Sequence, residues 1–187
     1  NVDSTVVITT TVDDKENGKE TTGVGGNNTR TATFDINVSG TNDAPVLSAP
    51  ATLTVNEDST SNAIAGLSIA DPDDFASPMQ VTLDLGASPK GTITLTTLTG
   101  LTFTTGDGTA DGKMVFTGTE AAINTALATL RFTPTANLNT LAGNEQTLVV
   151  TVNDQGNTGV GGAKSDTENV VISITPVNDA PLRTAAS

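Results

Sequence analysis

Apolar and polar residues alternate with a period of two along most of the chain. Successive side chains of a strand point to opposite faces, so this period predicts half-buried β-strands. Turn-forming residues separate the alternating runs, as at Asp71-Pro72-Asp73-Asp74 and Gly106-Asp107-Gly108. The pattern predicts strands near residues 5–12, 31–38, 46–55, 63–70, 79–85, 91–97, 101–104, 114–117, 130–133, 146–153 and 169–177.

One segment departs from this period. Thr119-Glu120-Ala121-Ala122 begins like a capped helix, and Ile123, Leu127 and Leu130 recur at helical spacing. This pattern predicts a short helix at 119–129 that crosses between two strands. The predicted fold is therefore all-β, a Greek-key β-sandwich with one short crossover helix.

Two short motifs occur twice at the same spacing. Thr-Gly-Val-Gly-Gly stands at 22–26 and 158–162, and Asn-Asp-Ala-Pro at 42–45 and 178–181, each pair 136 residues apart (22 to 158, 42 to 178). Upstream, Val12-Asp13-Asp14 matches Val152-Asn153-Asp154, with four extra residues in the first loop. Equal spacing, with an insertion confined to a loop, indicates a tandem repeat.

The repeat suggests how the chain is divided. We expect residues 1–41 to be the last two strands of one repeat, 42–45 a linker, 46–177 a complete repeat, and 178–187 a second linker with the start of the next repeat. The first residues look like the interior of a protein, so a fragment of something longer is expected. No signal peptide and no run of roughly 18 apolar residues is recognisable, and membrane insertion is not predicted.

Composition excludes several kinds of chemistry. The chain has no Cys and no His, which removes disulfides, thiolate metal sites, Cys nucleophiles and the Ser-His-Asp triad. A net charge of −13 with only 8 Lys and Arg argues against a nucleic-acid partner. Without Trp or Tyr, the pair Asp73 and Asp74 lacks a sugar-stacking platform for glycosidase chemistry, and no enzyme is predicted. Oxygen ligands remain plentiful, and Ca²⁺ prefers them.

Strand direction assigns each acidic turn to one end of the predicted sandwich. Because consecutive strands alternate in direction, one end is expected to collect Asn42, Asp43, Asp71, Asp73 and Asp154. At the other end, Glu57 is expected to face Asn178 and Asp179. Crowded carboxylates repel one another unless a cation neutralises them, and Ca²⁺ accepts 6 to 8 oxygens in irregular geometry, whereas Mg²⁺ demands a tighter octahedron. The alternative is that these are ordinary solvated turn residues.

Two glycine-containing segments match known sites only in part. The run from Asp107 to Gly112 begins like an EF-hand loop, but Gly118 stands where a bidentate Glu is needed, so a hairpin turn is predicted. Gly159-Val160-Gly161-Gly162 is not followed directly by the Lys-Ser/Thr of a phosphate loop, because Ala163 intervenes, and it is interpreted as a flexible hairpin tip.

The ordered set of motifs resembles the cadherin family. Asp71-Pro72-Asp73 is similar to its Asp-x-Asp motif, Glu57 to the glutamate that ends its first strand, and Val177-Asn178-Asp179-Ala180-Pro181 to the end of a repeat. The run from Phe116 to Pro134 resembles, more specifically, the cadherin-like repeats of giant bacterial surface proteins, including RTX-type adhesins. Gly40 and Pro176 stand where the cadherin linker opens with Asp, and no Asp-Arg-Glu motif is present, so one or two ions per junction are expected.

The resemblance implies an extracellular location, on a bacterial surface or secreted. The leading hypothesis is a spacer module of a long adhesin, in which Ca²⁺ makes the junctions between neighbouring repeats rigid. The alternative is a ligand-binding domain of such an adhesin, with a cell-surface glycan or a homophilic partner. Spacers come in copies, and the internal repeat favours the spacer.

Overall fold

The fold was analysed in a computed structural model that describes residues 4–13, 29–73, 76–138 and 145–180. Within these ranges the regular secondary structure is β-strand apart from one short helix, which confirms the predicted all-β class. The elements are β1 (Ser4–Asp13), β2 (Thr29–Val38), β3 (Val46–Ser48), β4 (Thr52–Asn56), β5 (Asn62–Ala63), β6 (Ser68–Ala70), β7 (Met79–Asp84), β8 (Gly91–Thr94), β9 (Thr102–Thr105), β10 (Lys113–Gly118), α1 (Glu120–Leu127), β11 (Arg131–Pro134), β12 (Gln146–Asn153) and β13 (Ser165–Thr175).

The strands from β3 onward form a β-sandwich. A six-stranded sheet has the order β4-β13-β12-β7-β10-β9, and two small sheets have the orders β5-β11-β8 and β3-β6. Inward-facing side chains from the large and the small sheets form a single core, which includes Val81, Leu83, Ile93, Phe132, Val150 and Ile172. β4 pairs in parallel with β13, and β7 pairs antiparallel with β12, so several sheet neighbours are distant in sequence, as in Greek-key connections.

Two predicted strands are each divided in the structure. The predicted strand at 46–55 becomes β3, which pairs with β6, and β4, which pairs with β13. The break falls at Pro50, which has no N–H to donate to a ladder. The predicted strand at 63–70 is likewise divided into β5 and β6, and the segment between them contains Gly66 at a φ of +89°. The chain changes sheet at each break.

The predicted helix is confirmed, with an earlier end. Thr119 is its N-cap, and its Oγ1 accepts a hydrogen bond from the Ala122 N–H at 3.3 Å. The buried helix residues are Ile123, Ala126 and Leu127. The Asn124 side chain bonds both backbone groups of Ile69, at 2.8 and 2.9 Å. The helix therefore fixes the end of β6, just before the acidic turn at Asp71.

The internal repeat reappears in the pairing of strands. β1 and β2 form an antiparallel hairpin in which Asp13 lies opposite Thr29. β12 and β13 form a hairpin in which Asn153 lies opposite Ser165, the equivalent residues under the sequence offsets. The two hairpins therefore share one register. The first Thr-Gly-Val-Gly-Gly motif at 22–26 and the expected start of a further repeat at 182–187 lie outside the described residues, and the division into repeats stays a prediction.

Candidate metal site

The first group of predicted ligands comes together around a buried linker residue. This Asn42 cluster consists of Asn42, Asp43, Asp71, Asp73 and Asp154. Asn42 is only 1% exposed, and its Nδ2 donates to Asp154 Oδ2 at 2.6 Å and to the Gly162 carbonyl at 2.9 Å. Both partners can only accept here, so the amide nitrogen must face them and Oδ1 must point elsewhere. That Oδ1 atom is buried and has no hydrogen-bond partner.

The repeated glycine loop holds the linker in place. The Asn42 N–H donates to the Val160 carbonyl at 2.8 Å, and the Val160 N–H donates to the Gly40 carbonyl at 2.9 Å. Gly159 has a φ of +70°, and a Cβ built on it would lie 2.7 Å from the Asn42 nitrogen. Only glycine fits so close an approach in this conformation. The loop interpreted from sequence as a flexible tip is thus a clamp on the linker.

The turn after β6 brings two more predicted residues to the linker. Asp73 is buried, and its Oδ2 accepts from the Asp43 N–H at 2.5 Å. The Asp73 N–H in turn donates to Asp71 Oδ1 at 2.9 Å, and the Asp71 N–H donates to Glu120 Oε2 at 3.0 Å. The hydrogen bond from Asp43 is the main reason that the pKa of Asp73 is lowered, with a smaller contribution from the Lys164 charge. Asp73 is therefore an anion at neutral pH.

Asp154 and Lys164 complete the Asn42 cluster. Asp154 follows β12 and is 4% exposed, and its Oδ1 accepts from the Gly156 and Lys164 backbone N–H groups, each at 2.8 Å. The Lys164 ammonium donates to the Asn42 carbonyl. Neither Lys164 nor Glu120 was expected from sequence, since no spacing rule links them to residues 122 and 49 positions away. A positive side chain thus already lies among the carboxylates.

The second group of predicted ligands lies at the other end of β13. Glu57 follows β4 and is 4% exposed; its Oε1 accepts from the Val177 N–H at 2.9 Å, while Oε2 is buried with no partner. Partial loss of hydration, then the charges of Asp58 and Glu57, raise the pKa of Asp179. Asn178 is exposed beside Asp179. We define the Glu57 cluster as Glu57, Asp58 and Asp179 together with Asn178, which precedes Asp179 in the chain; Asp58 was not expected.

The two clusters are separated by the length of the longest strand. β13 has 11 residues, and its start pairs with the end of β12 beside Asp154, whereas its end lies beside Glu57. At about 3.3 Å per residue, the strand spans roughly 33 Å. The assignment of these residues to opposite ends, made from strand direction, agrees with the structure. Metal binding at either end stays a prediction.

Carboxylates alone do not make a metal site in the described part of the chain, where no three Asp or Glu side chains stand in metal-binding geometry. An ion at either end would also need amide, main-chain and water oxygens, which Ca²⁺ accepts readily. The buried Asn42 Oδ1 is such an amide oxygen, and Glu57 Oε2 is a buried carboxylate oxygen at the other end. The donor set at both ends is therefore purely oxygen, which suits Ca²⁺ better than a soft transition metal.

The acidic loop between β9 and β10 uses its carboxylates differently. β9 and β10 pair antiparallel, which confirms the predicted hairpin. Asp111 Oδ2 accepts from the N–H groups of Asp107 and Gly108, at 3.1 and 2.9 Å, and Asp107 Oδ1 accepts from the Thr109 N–H at 2.9 Å. These bonds close the turn, so the loop needs no ion to explain its acidic residues.

Fold and site together define an all-β sandwich with an oxygen-rich cluster at each end. No family model and no curated protein sequence matches the chain. Among solved structures, AggA, the major subunit of the aggregative adherence fimbriae type I of Escherichia coli, is similar at 15% identity with a TM-score of 0.35, over 74% of this chain and 99% of that one. A likeness this slight leaves the family open. In the described residues, no helix has the length and hydropathy to cross a membrane.

Proposed function

We propose that the chain is a calcium-stabilised spacer module of a long extracellular bacterial adhesin, in which Ca²⁺ makes the junctions with neighbouring repeats rigid. One observation carries the proposal. Among the described residues, the buried side-chain atoms that lack a hydrogen-bond partner are two oxygens, Asn42 Oδ1 and Glu57 Oε2, and one lies in each cluster. Both belong to residues predicted as ligands from sequence.

A cation would relieve an energetic cost at both ends. A buried polar atom left without a partner costs about 1–3 kcal/mol, and more when it carries charge. In the Glu57 cluster, loss of hydration is the main cause of the raised pKa of Asp179, and repulsion from the charges of Asp58 and Glu57 adds to it. A divalent cation bound at each end would satisfy the orphan oxygen there, and at the Glu57 cluster it would also offset the repulsion between carboxylates. The irregular arrangement of donors favours Ca²⁺ over Mg²⁺.

The position of the linkers supports a role in setting the geometry of a tandem array. Asn42-Asp43 belongs to one cluster and Asn178-Asp179 to the other, and the two segments are copies of one motif. An ion bound at either cluster would tie a linker to the folded unit and fix its exit angle. With a net charge of −13, neighbouring units would otherwise repel each other.

The proposal is tested with a matched pair of isosteric variants. Glu57→Gln replaces the orphan oxygen by an N–H₂ group, whereas Asp84→Asn removes a carboxylate that is outside both clusters and paired with Lys113 at 2.8 Å. In calorimetric titration with CaCl₂, Glu57→Gln should lose at least one bound ion or bind it at least about tenfold more weakly, and Asp84→Asn should match the parent chain.

The same two variants separate calcium binding from general stability. In chelator, Glu57→Gln should unfold at the same temperature as the parent chain or a higher one, because a buried charge is removed. In the presence of calcium, Glu57→Gln should unfold at a lower temperature than the parent chain. A parent chain whose melting temperature is unchanged by chelation would refute the proposal.

A further inference from the structure

The β1–β2 hairpin has one apolar face and one polar face. The opposing pairs Val6–Ile36 and Ile8–Phe34 lie on one face, together with Val38. The other face carries mainly Thr, Asp and Asn side chains. Phe34 is 52% exposed and Ile36 is 43% exposed, so the apolar face is open to solvent. A two-stranded hairpin is marginal in water, and a contiguous apolar face marks an interaction surface.

The equivalent face of the β12–β13 hairpin is fully covered. Because the two hairpins share one register, Ile8 corresponds to Leu148, Phe34 to Val170 and Ile36 to Ile172. Leu148, Val170 and Ile172 are all completely buried. The chain therefore contains the same structural element twice, once with its cover and once without.

The β12–β13 hairpin shows which elements cover the apolar face of such a hairpin. The outer edge of β12 pairs antiparallel with β7, and the outer edge of β13 pairs in parallel with β4. Core residues of the small sheets, such as Ile93 and Phe132, belong to the same buried cluster as the β12–β13 face. All of these elements come from the segment between residues 46 and 145.

We propose that the apolar face of β1–β2 is the docking surface for a segment of the same protein that precedes residue 1 and is equivalent to 46–145. In that arrangement a strand like β7 lies along β1, a strand like β4 lies along β2, and the hairpin completes a second sandwich. The clamp of Gly159 and Val160 on Gly40 and Asn42 then joins the second sandwich to the first. This inference does not depend on calcium.

A second copy of the chain is the competing occupant. Two hairpins packed face to face would bury the same apolar residues. In the described residues, however, β1 and β2 pair only with each other, and a face-to-face dimer would leave both outer edges unpaired. Unpaired edges are a liability that native sheets cover. The equivalent segment covers the face and both edges at once.

The test adds a second copy of residues 46–145 of this chain ahead of the hairpin, as the segment proposed to cover its apolar face. Residues 46–145 are fused ahead of Val6, because Glu145 immediately precedes Gln146, the equivalent of Val6. In the full fused chain, hydrogen exchange of the β1 and β2 amides should then be at least about 100-fold slower than in the unfused chain, approaching the exchange rates of β12 and β13. A second version carries Phe34→Val, since Val170 occupies the equivalent position and a larger ring can overpack the new core.

Two point variants in the fused chain are the controls. Ile36→Thr, on the apolar face, should restore fast exchange, and Asn37→Thr, on the polar face, should not. The proposal is overturned if the hairpin amides of both fused versions exchange as in the unfused chain. It is also overturned if the unfused chain is a dimer that Ile36→Thr dissociates, because a second copy would then be the occupant.

Discussion

Lys164 places a positive charge inside a cluster of carboxylates. Its ammonium donates to the Asn42 carbonyl, and its backbone N–H donates to Asp154 Oδ1 at 2.8 Å. In the absence of metal, this side chain ties the linker to the unit, and its charge helps to lower the pKa of Asp73. A cation bound nearby would take over both tasks and would be opposed by the ammonium charge.

Lys164→Met therefore should act in opposite directions on two quantities. In chelator we expect the free energy of unfolding to fall by about 1.5–3 kcal/mol, because a hydrogen bond from a charged group is lost. Calcium affinity at the Asn42 cluster should rise, because a competing positive charge is removed. Urea unfolding with chelator and calorimetric titration with CaCl₂ measure the two effects.

Lys113→Met is the matched control. Lys113 pairs with Asp84 at 2.8 Å on the surface, with half of its side chain exposed. Such a pair contributes about 0.2–1 kcal/mol, and its loss should be equal with and without calcium. If Lys164→Met weakened calcium binding, Lys164 would be a support for the site and not a competing cation.

Asp179 gives the Glu57 cluster a pH signature. Its folded-state pKa is raised above the ordinary 3.8, so its ionised form opposes folding. In chelator, the free energy of unfolding should therefore lose this contribution as pH rises from 3.8 through the folded pKa. Asp179→Asn should match the parent chain near about pH 3 and be more stable at about pH 6. Urea unfolding at a series of pH values checks this.

Asp73 contributes to the pH profile with the opposite sign. Its pKa is lowered from 3.8, so its stabilising contribution is present above that value and is lost as pH falls through the folded pKa. Both proteins contain Asp73, so the difference between Asp179→Asn and the parent chain isolates Asp179. A difference that stayed constant from about pH 3 to pH 6 would contradict the raised pKa.

At the scale of elements, the loop of Gly159 to Gly162 can be tested as a clamp. Gly159→Ala forces a side chain into a φ of +70° and places its Cβ 2.7 Å from the Asn42 nitrogen. The left-handed conformation alone costs about 1–2 kcal/mol, and the contact must also push the linker away. We expect faster hydrogen exchange of the Asn42 amide and weaker calcium binding.

Gly86→Ala separates these two costs. Gly86 has a φ of +83°, and a Cβ there would meet no heavy atom within 4 Å. It should lose only the conformational contribution, about 1–2 kcal/mol, with no change in Asn42 exchange or in calcium affinity. Equal effects of the two variants on the Asn42 amide would show that the loop does not clamp the linker.

The local pattern of apolar and polar residues was sufficient to predict most strands and the helix, but it was insufficient to predict the contacts between them. The alternation of β12 and the Thr119 cap depend on neighbouring residues, and both were predicted. The division of the strand at Pro50 depends on which sheet each half joins, which a period of two does not encode. Strand direction grouped the predicted ligands correctly, but the roles of Lys164, Glu120 and Asp58 arise from contacts that only the folded chain brings together.

At the scale of the whole molecule, β13 connects the two clusters, and each cluster lies where a linker meets the folded unit. β13 begins beside Asp154 and ends beside Glu57, and a copy of the linker motif lies at each of these ends. Ions at both ends would tie each linker to the same rigid sheet, so bending would be confined to the linkers themselves. The stiffness of such an array would then follow the calcium concentration.

Calcium should therefore raise the melting temperature of the chain by more than ionic strength alone. If sites bind with a Kd of about 10⁻⁴ M, 10 mM CaCl₂ is about 100 times Kd and adds about 2.7 kcal/mol per site to the free energy of unfolding. For a chain of this length that is a shift of about 5–10 °C, since each kcal/mol moves the melting temperature by about 2–4 °C. MgCl₂ should give a smaller shift. With NaCl at the same ionic strength the shift should be smaller still, because screening reduces repulsion among the 21 acidic residues but satisfies neither buried oxygen. Equal shifts in all three salts would mean that the clusters respond to screening and hold no ion.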